Sequence, residues 1–200
     1  MAPMDGRADD AATIGMWRGV RVDLAPRDAV SVEVAVASAG VFMREIGGTR
    51  PTGGLGKLDA ALGGAITRLR TDGIFRADMG EVLTLSAPAR PIRATTVLAI
   101  GLGDPDAWTP ATMHAAVATA AREAIRIEAV SAAFAPSLLD SGLDPHALGG
   151  TPEAMLAGLF EALSDDRHPM LSGWTFCVGA ERFDAMIAVF RAAFDRLAAR

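Results

Sequence analysis

Two glycine clusters hold the residues of this 200-residue chain whose types and spacing could do chemistry. Gly53-Gly54-Leu55-Gly56-Lys57 sets backbone N–H groups beside the only lysine of the sequence. The stretch from Ala94 to Thr109 runs a β-branched apolar segment straight into Gly101-Leu102-Gly103 and then into Asp104 and Asp106. A buried strand feeding a tight glycine turn brings N–H donors to the carboxyl edge of a sheet, where α/β proteins keep ligand sites. Donors so placed suit an anion, a phosphate above all. Neither cluster completes a phosphate fingerprint. A Walker-type loop needs glycine where Pro51 stands and Ser or Thr where Leu58 stands, and Gly101-Leu102-Gly103 lacks the third glycine of a dinucleotide turn and runs into Pro105.

The other reactive residue types read as structural. Cys177 lies in Trp174-Thr175-Phe176-Cys177-Val178-Gly179, a strand pattern. A catalytic thiol needs a base and some exposure, so this one reads as buried and inert. Because it is alone, no intramolecular disulfide can form and nothing points to an oxidising compartment. His114, His146 and His168 fall in three separate contexts and read as structural or solvated. Asp104 and Asp106 immediately precede the helix start Trp108-Thr109-Pro110, where carboxylates complement the helix N-terminus. Asp78, in Ala77-Asp78-Met79-Gly80, fits a turn. The sequence assigns no catalytic residue, no metal ligand and no cofactor.

The elements that must position these residues follow from periodicity. Trp17 to Leu24 alternates Val20, Val22 and Leu24 against Arg21 and Asp23, and Ala29 to Ala37 alternates Val30, Val32, Val34 and Val36 against Ser31 and Glu33. The two segments are expected to form a hairpin across Pro26. From Leu58 the period becomes helical through Leu62, Ile66 and Leu69, up to Gly73. Strands are expected at Glu81–Ser86, Thr95–Gly101, Ile127–Phe134 and Trp174–Gly179, and helices from Thr109-Pro110 to Arg126, from Thr151-Pro152-Glu153 to Leu163, and over Glu181–Arg200. Pro136 to Gly150 reads as a loop. The sum is a three-layer α/β/α sandwich on a mixed sheet of about six strands. Residues 1–15 read as a flexible leader and 16–200 as a single domain.

Half the residues are apolar, enough for one substantial core. A net charge of −5 and a pI of about 5.2 argue against nucleic acid as a partner, since that affinity comes mostly from clustered Lys and Arg. No apolar run approaches the roughly 20 residues of a membrane span, and no signal-peptide pattern opens the chain, so a cytoplasmic protein is expected. In the last helix Phe183, Ile187, Phe190, Phe194 and Leu197 form a continuous apolar stripe, widened by Met186 and Val189.

These elements and their local words resemble the N-terminal domain of the M17 leucyl aminopeptidases, whose fold is similar to macro domains. The words are Gly54-Leu-Gly-Lys-Leu-Asp59 with Gly63-Gly64, Asp72-Gly-Ile-Phe75 followed by Gly80-Glu81, Val97-Leu-Ala-Ile-Gly-Leu-Gly103, and Ala118 to Ala124. The resemblance covers residues 17–200, and the last helix is similar to the linker that in full-length members leads to the catalytic domain. It departs near Gly158 to Leu163, where the family carries a tyrosine that this chain lacks. The family's two-metal site lies in its C-terminal domain, and nothing here corresponds to its ligands. The resemblance therefore implies a free-standing, non-catalytic relative, acting as a protein-interaction, regulatory or assembly module.

Three further expectations attach to it. A macro-like cleft implies that Gly53, Gly54, Gly56, Lys57, Gly101, Gly103 and Asp104 converge on a nucleotide or ADP-ribose-like ligand, although Val36 to Gly40 lacks the asparagine that ADP-ribose-binding macro domains use. The chain could be one subunit of a split metalloaminopeptidase. Finally, Phe183, Ile187, Phe190 and Phe194 are expected to meet a second copy or a separate protein partner, as a domain without its catalytic half leaves surface uncovered.

Overall fold

The computed structural model describes residues 11–45, 50–136, 149–165 and 170–200. Its first elements are β1 (Ala12–Trp17) and β2 (Val20–Ala25), an antiparallel hairpin. The turn residues Arg18 and Gly19 both have positive φ, 47° and 84°, as a two-residue turn matching the strand twist requires. This replaces the expected hairpin between Trp17–Leu24 and Ala29–Ala37, and it begins at Ala12, inside the stretch read as a leader. Residues 26–35 instead form a turn-rich connection. Asp28 organises it: its Oδ1 accepts from the N–H groups of Val30 at 3.1 Å and Ser31 at 2.9 Å, while its carbonyl accepts from Val32 at 3.1 Å.

The strand that follows, β3 (Val36–Val41), lies parallel between β5 (Thr96–Gly101) and β6 (Ser131–Ala135), with all six of its residues buried. Burial on both faces explains its small, non-alternating sequence. β4 (Val82–Ser86) pairs antiparallel with β5, and β7 (Gly173–Cys177) lies parallel between β2 and β6. The sheet is seven-stranded and mixed, in the order β1-β2-β7-β6-β3-β5-β4. Five parallel strands thus share one carboxyl edge, bordered by an antiparallel strand on each side.

Alternate strand residues face two helical layers. Leu24, Leu98, Ile100, Phe134, Trp174 and Phe176 pack under α3 (Pro110–Arg126), α4 (Thr151–Asp165) and α5 (Phe183–Ala198). Ala37, Ala39, Val41, Val97 and Ala133 pack under α1 (Gly53–Ala61) and α2 (Ala65–Thr71). The single helix expected from Leu58 to Gly73 is broken at Gly63 and Gly64, whose φ values of 64° and 80° take the chain out of the helical region. The expected strand at Ile127 starts only at Ser131, after a left-handed Glu128 with φ 58°. No helix among the described residues is long and apolar enough to cross a membrane.

The apolar stripe of α5 turns largely inward. Phe190 and Phe194 are buried, while Phe183 and Ile187 are half-buried against the same core. Trp17 stacks on Phe160 of α4 at 4.1 Å between centroids, Phe160 meets Phe194 edge-on at 5.2 Å, and Phe176 lies 5.3 Å from Phe190. Each of these rings contributes about 1.5–3 kcal/mol through burial, which seals α5 to β1, β2 and α4. Of the four aromatic and aliphatic residues expected to meet a partner, two belong to the core of their own domain.

Candidate functional site

The carboxyl edge of the parallel strands holds the Gly101-Leu102-Gly103 cluster, at the exit of β5. The exits of β3 and β5 are adjacent there, and backbone hydrogen bonds sew them together. Leu102 N–H donates to the Val41 carbonyl at 2.8 Å, and Met43 N–H donates to the Gly103 carbonyl at 3.0 Å. From the other side the turn at residues 76–81 closes on the same glycines. Gly101 N–H donates to Glu81 O at 2.8 Å, Gly80 N–H to Gly101 O at 3.0 Å, and Gly103 N–H to Ala77 O at 2.9 Å. Two residues facing one make a β-bulge that bends the turn over the strand end. Glu81 holds this turn, its Oε2 accepting from the N–H groups of Arg76 at 2.9 Å and Asp78 at 3.1 Å. All three N–H groups of Gly101-Leu102-Gly103 are therefore spent inside the fold.

Gly101 is glycine because of packing. A Cβ there would stand 2.0 Å from the Asp78 carbonyl oxygen. Gly103 has φ +73°, a conformation that glycine adopts at little cost. Gly53, Gly54 and Gly56 lie in the first turn of α1 rather than in a loop; Gly56 N–H donates to Thr52 O at 2.9 Å, and its missing Cβ leaves room for the Pro51 carbonyl. Lys57 turns toward the exit of β2, with Nζ 3.8 Å from Asp28 Oδ2. Burial works against the charged form of Asp28. The Ser31 hydroxyl, the Ser31 and Val30 N–H groups and Lys57 outweigh it, and hold the carboxyl below the usual carboxylate range. At this edge Gly101, Gly103 and Asp104 meet the segment that leads to α1, while Lys57 pairs with Asp28 in the connection that follows β2.

Charged side chains that the sequence reading passed over fasten this edge. Arg44 Nη2 donates to Asp106 Oδ2 at 2.5 Å and reaches Asp104 Oδ1 at 3.4 Å. Asp104 also accepts the Asp106 N–H at 3.0 Å, so it caps the short turn at Pro105–Ala107, whereas the helix start it was expected to serve, α3, is capped by Thr109 and Thr112. On α2, Arg70 is mostly buried and binds both Glu45 Oε1 at 2.5 Å and the Met43 carbonyl at 2.7 Å. Its position among arginines on the polar side of α2 carried no signal of this role.

Asp59, within one of the sequence words, is buried at the end of α1 and caps the next helix. Its Oδ1 accepts from the N–H groups of Ile66 at 2.9 Å and Thr67 at 3.2 Å, and its Oδ2 from the Thr67 hydroxyl at 2.5 Å. Gly64 at the N-cap position has no side chain for this purpose, so Asp59 supplies the acceptor from five residues upstream. Asp59→Ala is expected to lower the unfolding free energy by about 1–3 kcal/mol, read from the urea midpoint. A midpoint unchanged from the parent would show that the cap is dispensable.

The remaining reactive groups lie apart from one another. His114 Nε2 is 3.0 Å from Glu161 Oε2 and Arg122 Nη2 is 2.6 Å from Glu161 Oε1, and together they clasp α3 to α4. His146 and His168 lie outside the described residues. Among the described residues no group of three or more His, Cys, Asp or Glu side chains is placed to share a metal ion. Cys177 is buried, and desolvation first, with the nearby Asp28 charge second, pushes its thiol up to about 12. At mildly alkaline pH a disulfide-exchange reagent should leave the native chain unlabelled and react with one thiol after denaturation. Rapid native labelling would contradict this.

A family model described as "Cytosol aminopeptidase family, N-terminal domain" matches residues 40–163, from the last two residues of β3 through both glycine clusters and most of α4. The chain belongs to this family. The matched span holds the edge just described, from the exit of β3 through the Gly101 turn to the α3–α4 pair. Among solved structures, a mutant tomato leucine aminopeptidase is similar in fold, with 18% identity and a TM-score of 0.61 over 86% of this chain. This chain spans 36% of the tomato enzyme. Macrodomains share the fold as well. That of Oceanobacillus iheyensis with MES bound has 17% identity and a TM-score of 0.62, covering 95% of this chain and 97% of its own. That of Trypanosoma brucei in complex with ADP has 16% identity and a TM-score of 0.62, covering 86% and 68% respectively. No curated protein sequence matches the chain. This cytosol-aminopeptidase N-terminal domain is thus macrodomain-like in architecture, with a mixed sheet between two layers of helices.

Proposed function

We propose that this domain works by binding rather than by chemistry, as a protein-interaction, regulatory or assembly module. The observation that carries the reading is the commitment of the Gly101, Leu102 and Gly103 N–H groups to Glu81, Val41 and Ala77. A phosphate cradle needs those donors free, and here they hold the edge of the fold. The pairing of Asp104 and Asp106 with Arg44 supports it further, because these carboxylates already have a cation and a turn to cap.

The purified chain, supplied with Mn²⁺ or Zn²⁺, is expected to release no leucine from leucyl p-nitroanilide. Robust metal-dependent release would overturn the reading. A second reading, a small-ligand site of nucleotide or ADP-ribose type, draws support from the Trypanosoma brucei macrodomain in complex with ADP and from the position of Gly53, Gly54 and Lys57 at the start of α1. Ligand well above its dissociation constant must raise the unfolding midpoint. A midpoint that climbs with added ADP or ADP-ribose would favour this second reading, and a flat response at millimolar ligand would remove it.

A further inference from the structure

We infer that the free edge of β4 pairs antiparallel with β4 of a second copy of this chain, joining two sheets about a two-fold axis at Thr84. The inference deepens the assembly reading proposed above by naming the partner and the surface. It starts from the direction of backbone groups along β4. Gly101 N–H donates to Glu81 O, and Ala87 N–H donates to Thr95 O, so the carbonyl of residue 81 and the N–H of residue 87 point toward β5. These groups alternate in sense along a strand, and the register between Val82↔Ile100 and Ser86↔Thr96 is unbroken. Leu83 and Leu85 therefore face β5, while Val82, Thr84 and Ser86 present their N–H and C=O groups outward. Among the described residues β4 ends the sheet on that side.

The two sheet edges differ in a way that singles out this one. Sheets protect an exposed edge with bulges, charges or proline. β1 has such protection: its register shifts between Thr13 and Gly15, and Arg191 Nη2 donates to the Thr13 carbonyl at 3.1 Å. β4, Val-Leu-Thr-Leu-Ser, has no charge, no proline and no bulge within its length. It is an unguarded template.

The order of its residues selects a second copy as the occupant. About a two-fold at Thr84, an outward-facing Thr84 meets Thr84 of the copy as a hydrogen-bonded pair, and Val82 meets Ser86 of the copy on either side of it. The half-buried Leu83 and Leu85 then lie opposite one another on the α1–α2 face. The leucines meet leucines, the central hydroxyl meets its own copy, Val82 meets the small Ser86, and no like charges are opposed. The strand ends are complementary as well. The turn before β4 carries Arg76, Asp78 and Glu81, net negative, and the turn after it carries exposed Arg90 together with Arg93, which pairs with Glu33. An antiparallel two-fold sets the first turn of each copy beside the second turn of the other.

Light scattering on a size-exclusion column, over a concentration series of the full chain, is expected to show a dimer. Thr84→Lys sets two ammonium groups against each other at the axis, and Thr84→Pro removes an outward donor that the monomer does not use. Both are expected to give monomers with the parent's circular dichroism and thermal midpoint. Hydrogen-bonded antiparallel pairs have Cα atoms about 5.5 Å apart, within disulfide range. Thr84→Cys should therefore cross-link under mild oxidation, whereas Ser86→Cys, facing Val82 of the copy, should not. Should the proline variant fail to fold, the lysine and cysteine variants carry the test. A parent that is monomeric at every concentration overturns the inference, as does a dimer that survives Thr84→Lys. A surviving dimer that Val189→Glu on α5 dissolves would place the contact on the last helix, ending this inference while leaving the assembly reading intact.

Discussion

Gly158→Ala is expected to destabilise the domain by about 3 kcal/mol or more, even though alanine is the better helix former. Gly158 lies inside α4, and helix propensity alone would make the substitution stabilising by about 0.8–1.0 kcal/mol. The packing reverses the sign. A Cβ at this position would stand 2.2 Å from the His114 carbonyl oxygen, 3.0 Å from its carbon and 3.2 Å from Ala118 N. All three atoms are backbone of α3, so no rotamer change can clear the way. The helices must separate, and their shared core of Met113, Ala116, Val117, Ala120, Ala121, Met155, Leu156 and Leu159 loosens with them. Dispersion falls steeply with separation, so a small shift is felt along the whole contact. Gly173→Ala is the matched control, because nothing lies within 4 Å of its Cβ position. Urea midpoints of the two variants should differ widely, with Gly173→Ala close to the parent. A Gly158→Ala midpoint at or above the parent's would show that α3 and α4 are not in this close contact.

The architecture was legible where the signal is local. Thr109-Pro110 does start α3, Thr151-Pro152 starts α4, and the β-branched run ending at Gly101 is β5. Elsewhere periodicity records what is covered and not by what. The valines at 30, 32 and 34 alternate because parts of a turn-rich connection pack on the core, and nothing in their spacing separates that from a strand. The hairpin was assigned one element too late because the true partner, β1, lies in a stretch of ordinary composition and depends on the Arg18-Gly19 turn. In α5 the stripe was plain, but its destination was not: Phe194 fills the space left by Gly15, whose Cβ would come within 2.5 Å of that ring. The candidate edge was legible as a place and not as a chemistry. The partners of the glycine N–H groups, Val41, Ala77 and Glu81, come from two other segments, and no spacing rule within Gly101-Leu102-Gly103 could name them.

Those same partners make Gly101→Ala the second large effect, an expected loss of about 3 kcal/mol or more through overpacking and a broken hydrogen-bond network. A Cβ on Gly101 would sit 2.0 Å from Asp78 O, 2.7 Å from Ala77 C and 2.8 Å from Ala77 O. To admit it the turn at residues 76–81 must lift from the strand. Lifting strains the Gly101–Glu81, Gly80–Gly101 and Gly103–Ala77 bonds together, and Ala77 is fully buried with a left-handed φ of 60° that only the intact turn enforces. Gly103→Ala has a milder origin: its Cβ would find Met79 at an ordinary 3.6 Å, leaving mainly the strain of φ +73°, of order 1–3 kcal/mol. Stability measured by urea unfolding should therefore fall in the order Gly101→Ala, Gly103→Ala, Gly173→Ala, the last close to the parent. A ligand-cradling turn predicts another pattern, in which Gly101→Ala leaves the unfolding midpoint alone and alters only the response to added nucleotide. The rank order of three alanine variants thus separates a glycine kept for packing from one kept for a ligand, because only the first kind must lose stability in the absence of any ligand.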